Sequence, residues 1–441
     1  MSTACNQFHQ LGRRDFFRIG GAGLFGLTMA DLFQSRAKAA DGKLPAKADQ
    51  MIIVWLGGGP PHQDTFDLKP DAPAEIRGPF NPIKTNVAGM EVCELMPRLA
   101  QNADKFTLLR SVGINSERWE HGGGQYWLTG NPRRHRETPE YPMYGNVVSK
   151  IRPTQENLPT FVAFGDIDNH AYGIKQNYLG PSFDPIVMQP TEADDQVRNM
   201  LIPPPGLELE GFDGRNQLRT SLDRKLRQQD KLDRLVSGLD KFQQTALDLL
   251  RSPKLREALD LDREDPRVAE RYGKNSHGKK VLAARRLVEA GVPFVYTHFE
   301  SNWDHHGGNF TACRSKLPNL DQAVASLLED LEERGLLERT IVCVLGEMGR
   351  TPKINKDAGR DHWGTCQSVL VAGGGFKGGT IVGATDKHAA YVSQDYYKVE
   401  SFGKTLYHLL GIDPDQILYS SENRPHRLIV EDAPLIREAL V

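Results

Sequence analysis

Four continuous apolar runs constrain this chain more than any other feature: "MIIVWLGGG" at 51–59, "KFTLLRSV" at 105–112, "PFVYTHF" at 293–299 and "RTIVCVLGE" at 339–347. A strand with one face in water alternates polar and apolar residues. A strand covered on both faces has no reason to alternate, and these runs do not. "SVLVAGGG" at 368–375 adds a fifth. Between the runs lie "VCELMPRLAQNA", "HGKKVLAARRLVEAG", "LDQAVASLLEDLEERGLL" and "VESFGKTLYHLLGI", each with apolar residues three and four apart, the spacing of a helix with one buried face. Strands alternating with helices predict an α/β fold, with a mainly parallel central sheet covered on both sides. With 441 residues, 39% of them hydrophobic, the chain has enough apolar surface for such a core.

One segment breaks the alternation. From about Arg215 to Glu264 the pattern is long amphipathic helix, with Leu218, Leu222, Leu226, Leu232, Leu235 and Leu239 on one face. It follows "MLIPPPGLEL", whose three prolines exclude helix, so about 215–265 is expected to be a helical insertion on the α/β core.

The N-terminus predicts export. "GRRDFFRIGGAGLFGLTMADLFQSRAKAA" joins an arginine pair to a short glycine-rich apolar run and ends in Ala37-Lys38-Ala39, a small-x-small cleavage pattern. Arg13-Arg14-x-Phe16-Phe17-Arg18 resembles a twin-arginine signal, the address of proteins exported folded by the twin-arginine translocase. The expected division is a signal over 1–39 and one domain over 40–441, periplasmic or extracellular. The run from Ile19 to Phe33 is broken by glycines and Asp31 and is short for a bilayer span, so no stable membrane span is expected in the mature protein. Lys+Arg 55 against Asp+Glu 57 leaves no basic field for nucleic acid. Cys93, Cys313, Cys343 and Cys366 would lie in a compartment that permits disulfides, but no pair has zinc-ribbon spacing.

In open parallel sheets, functional groups gather where the strands end. The first run leads into "GGGPPHQDTFD", with His62, Asp64, Thr65 and Asp67. "PFVYTHF" leads into "ESNWDHHGGNF", with Glu300, Asp304, His305 and His306. "RTIVCVL" leads into "GEMGRTPKINKDAGRDHWG", with Glu347, Arg350, Asp361 and His362. "ERWEHGGGQYWLTG" adds Glu120 and His121. Carboxylates and imidazoles without paired thiolates suit a divalent ion such as zinc, manganese, calcium or magnesium. Arg350, planar and permanently charged, suits bidentate contact with an oxyanion. "GGGPPHQDTF" has neither Gly-x-Gly-x-x-Gly nor Gly-Lys-Ser/Thr, which argues against a nucleotide loop.

The order of these clusters resembles the alkaline phosphatase superfamily, which includes the sulfatases. "GGGPPHQDTFD", "WDHHGGN" and "GEMGRTPKIN…GRDHWG", behind a twin-arginine start, resemble the exported bacterial proteins grouped as domain-of-unknown-function family 1501. The resemblance implies an alkaline-phosphatase-like three-layer α/β/α sandwich. It also implies that Asp64, Asp304, His306, Glu347 and His362 bind one or two divalent ions, with His62, Asp67, Glu120, His305 and Asp361 as secondary candidates. The sulfatase pattern Cys-x-Pro-Ser-Arg is absent from the chain. Its tail resembles "YWLTG", and alignment there puts Glu120 and His121 at the nucleophile position. His121 is then a nucleophile, general acid or metal ligand, and Thr65 a second nucleophile.

The expected function is hydrolysis of phosphate or sulfate esters on small molecules or polysaccharides, with Arg350 holding an oxyanion. The alternative is a non-catalytic glycan- or envelope-binding protein that keeps the polar crevice without the nucleophile.

Overall fold

The computed structural model describes residues 44–114, 116, 123–132, 141–154, 158–165, 177–188, 252–299, 302–420 and 422–441. The expected signal, the proline-rich boundary, residues 215–251 of the expected insertion, Glu120, His121 and Glu300 lie outside them.

The five apolar runs are strands: β1 (Gln50–Leu56), β2 (Phe106–Gly113), β5 (Phe294–His298), β6 (Thr340–Gly346) and β7 (Gln367–Ala372). Four shorter strands complete the sheet: β3 (Phe161–Phe164), β4 (Ile186–Met188), β8 (Thr380–Val382) and β9 (Tyr397–Lys398). The order is β8-β2-β7-β6-β1-β5-β3-β4, with β9 also paired to β2. Only β7 runs against its neighbours, antiparallel to both β2 and β6. It follows β6 with no crossover helix between them, so the chain returns along the edge from which it left.

Alternate residues of β1 enter different cores, which explains why its sequence is apolar throughout. Ile52, Val54 and Leu56 join one cluster, and Met51, Ile53 and Trp55 the other. The first core is closed by helices α1 (Pro97–Gln101), α4 (Pro253–Leu259), α5 (Pro266–Tyr272), α6 (Ser276–Ala290) and α7 (Asn309–Glu333). The second is closed by α2 (Gly123–Thr129), α3 (Tyr144–Ile151) and α8 (Val399–Leu409). Three layers result, as the alternation predicts.

Two helices depart from the sequence expectation. "VCELMPRLAQNA" forms only the short α1, because Pro97 occupies its first turn and the segment before it pairs as strand. Helix α7 starts well before "LDQAVASLLEDLEERGLL", at Asn309, and carries Pro318 in its interior. Where the expected insertion is described, at its C-terminal end, it is α4, capped by Ser252 and docked through Leu255 and Ala258. Among the described residues no helix is long and apolar enough to cross a membrane, and the four cysteines are free and buried.

Candidate metal centre

Strands β6, β1 and β5 are neighbours and parallel, so the loops after them leave the sheet side by side. The β1 loop is glycine-rich because it must touch both others. Gly58 has φ of 107°, and a Cβ there would lie 2.4 Å from the backbone nitrogen of Asp304. A Cβ on Gly59, at φ of 79°, would lie 2.5 Å from the carbonyl oxygen of Met348. No other residue type fits this packing unstrained.

The loop after β6 folds back on itself. Gly349–Arg350 pairs antiparallel with His362–Trp363, with His362 opposite Arg350. That pairing brings His362 to the loop after β5. His362 Nε2 and His306 Nε2 each lie 3.0 Å from Asp304 Oδ1, and 3.1 Å from each other. His306 Nδ1 lies 2.6 Å from Asp361 Oδ1. Nδ1 thus faces Asp361 and Nε2 faces Asp304 and His362, so a metal ion taken up on Nε2 would leave the ring proton on Nδ1, where Asp361 accepts it. Asn355 fastens the assembly by donating to Asp361 Oδ1 and to the His306 carbonyl oxygen. His306 and Asp361 are about half exposed, whereas His362 and Asp304 are mostly covered.

Arg350 serves this trio from beneath. Its guanidinium is buried and donates to the carbonyl oxygens of Gly58, Gly59, Trp303 and Arg360 and to Asp304 Oδ1, the last at 2.6 Å. The oxyanion-holding role expected for Arg350 does not match this placement, because its donors point at the protein. Burial pushes the Asp304 carboxyl upward, but hydrogen bonds and charge from His362 and Arg350 outweigh it and hold Asp304 well below the usual carboxylate range.

Asp64 stands apart from the trio. Its oxygens take a two-pronged contact from Arg360, at 2.7 and 3.0 Å, and a hydrogen bond from Asn309 at 2.9 Å, all out of water. Thr65 is buried and donates its hydroxyl to the Pro61 carbonyl oxygen, which leaves no access for attack on a substrate. Asp67 is buried between Lys69, Arg110 and Thr385. His62 is buried with Nε2 on the Ala389 carbonyl oxygen, and burial lowers its pKa. Glu347 is fully buried just past β6, and His305 is buried with its carbonyl oxygen bonded to the Arg360 amide. Sequence reasoning missed Asn309, Asn355 and Arg360. Only Arg360 carried a signal, as a cation directly before an Asp-His pair.

The donor set fits a divalent ion. Ligand atoms of a tetrahedral site with bonds of 2.0–2.1 Å stand about 3.3 Å apart, close to the 3.0–3.1 Å separations here. These are the three residues that the described structure brings together as possible ligands. Two imidazoles and one carboxylate favour zinc, manganese or iron over calcium and magnesium, which prefer all-oxygen shells.

No curated protein matches the chain. Among solved structures it is similar to a protein in the alkaline phosphatase superfamily from Vibrio parahaemolyticus, at 11% identity and TM-score 0.37, covering 84% of this chain and 69% of that one. It is similar to alkaline phosphatase from the Antarctic bacterium TAB5, at 12% identity and TM-score 0.38, covering 83% and 99%. It is also similar to the lipoteichoic acid synthase LtaP from Listeria monocytogenes, at 10% identity and TM-score 0.37, covering 86% and 78%. Residues 48–440 match the family described as Protein of unknown function (DUF1501), and the chain belongs to that family.

Proposed function

We propose that this chain is a metal-dependent hydrolase of phosphate or sulfate esters, related to the sulfatase-like branch of the alkaline phosphatase superfamily and exported to the periplasm or beyond by the twin-arginine route. The trio Asp304, His306 and His362 carries the reading, since three ligand atoms at 3.0–3.1 Å on adjacent loops form a compact N2O set. Asp304, His306 and His362 would hold the divalent ion, which would supply Lewis-acid chemistry for ester hydrolysis. Asp361 would accept from Nδ1 of a His306 bound to the ion through Nε2, and Arg350 holds Asp304 in its ionised form. Attack on the ester is assigned to His121 or to water. The substrate is a small-molecule or polysaccharide ester.

Metal analysis of the mature exported protein, with assays on aryl phosphates and aryl sulfates, tests this reading. About one ion per chain is expected, lost in His306→Ala and His362→Ala. Metal-free protein that stays inactive with every added divalent ion would refute it.

The buried, bonded hydroxyl of Thr65 favours a second reading, a binding protein without a nucleophile. Glycan binding that survives removal of the metal would select it.

A further inference from the structure

The ion pair between Asp64 and Arg360 is fully buried and is bonded to both loops that build the trio. All five guanidinium N–H groups of Arg360 are engaged: two on Asp64, and the others on the carbonyl oxygens of Thr351, Pro352 and Ile76. The backbone of Arg360 is equally committed. Its amide donates to the carbonyl oxygen of His305, between Asp304 and His306, at 3.1 Å. Its carbonyl oxygen accepts from Arg350, which holds Asp304. The next two residues are Asp361 and His362. Asp64 reaches the start of α7 through Asn309, directly after the His306 loop.

From this we infer that Asp64 and Arg360 are positioning residues that set the spacing of Asp304, His306 and His362, with Asp64 acting through the ion pair and not as a ligand. A buried ion pair is a poor source of stability compared with apolar residues of the same size, and its best-attested use is to specify one arrangement. The inference rests on the metal-site reading above.

The test is cobalt(II) uptake, followed by visible absorption and by competition with a chelator, together with thermal unfolding of the metal-free protein. The subjects are the full mature chain, the apolar pair Asp64→Leu with Arg360→Met, and Asp64→Asn alone. Outer-shell groups around metal ligands typically change affinity by roughly 10- to 100-fold. The apolar pair also leaves the carbonyl oxygens of Thr351, Pro352 and Ile76 without Arg360, so it should unfold below the parent temperature in a single transition and bind cobalt at least about 10-fold more weakly. Asp64→Asn should also bind more weakly, by about 10-fold, while keeping the parent absorption bands.

Parent-like affinity in both variants overturns the inference and leaves the metal site intact. Loss of one ligand's contribution to the bands in Asp64→Asn also overturns it, by making Asp64 a ligand. A parent chain that takes up no cobalt overturns the metal-site reading and this inference together. Should the apolar pair fail to fold, Asp64→Asn decides alone.

Discussion

His306 Nδ1 lies 2.6 Å from Asp361 Oδ1, which turns the opposite ring nitrogen toward Asp304 and His362. This contact joins residues far apart in sequence and fixes the ring orientation.

Asp361→Ala should therefore weaken metal binding by roughly 10- to 100-fold without affecting the fold, since Asp361 is about half exposed. Chelator competition with near-parent unfolding temperatures checks both halves.

Gly58→Ala should be severe. The added methyl group would lie 2.4 Å from the Asp304 nitrogen at a φ of 107°, so strain and overpacking together should remove about 3 kcal/mol and displace Asp304. Denaturant midpoints and metal content should fall together.

Ala389→Gly should stabilise. Ala389 is buried at φ of 53°, with its carbonyl oxygen receiving His62. Relief of the left-handed strain should exceed the added freedom of the unfolded chain, by up to about 1 kcal/mol. A higher denaturant midpoint at unchanged slope would confirm it.

Metal-free protein should lose stability as pH falls from about 6.5 toward 4. Burial lowers the pKa of His62, and burial with nearby Lys280 lowers that of His277 to about 4. A depressed folded-state pKa means that the unfolded chain takes up the proton first. The stability these neutral histidines contribute is present above the unfolded value and is lost as pH drops through the folded one. Each adds at most about 1.4 kcal/mol per pH unit. Thermal unfolding across this range should show a shallower slope for His277→Gln than for the parent.

What could be read from the sequence follows from what is local. Runs such as "MIIVWL" identify strands because both faces are buried, and apolar content alone reports that. The short strands Phe161–Phe164 and Ile186–Met188 hold too few residues to show a period. The direction of β7 depended on the absence of a crossover, which its apolar content does not encode. Asp304, His306 and His362 were legible as polar residues in the segments that follow strands. That Asp64 faces Arg360 was not, because composition gives the sign of a charge and tertiary packing chooses its partner.

The antiparallel return of β7 has a kinetic consequence. Residues 340–372 form a hairpin-like unit, β6 and β7 joined by the loop that holds Glu347, Arg350, Asp361 and His362. Its pairing closes a short loop, whereas contact with β1 spans most of the chain and carries a larger entropy cost. One of the three candidate ligands, His362, with its neighbours Arg350 and Asp361, can therefore be placed early in folding, and the later arrival of β1 and β5 completes the site.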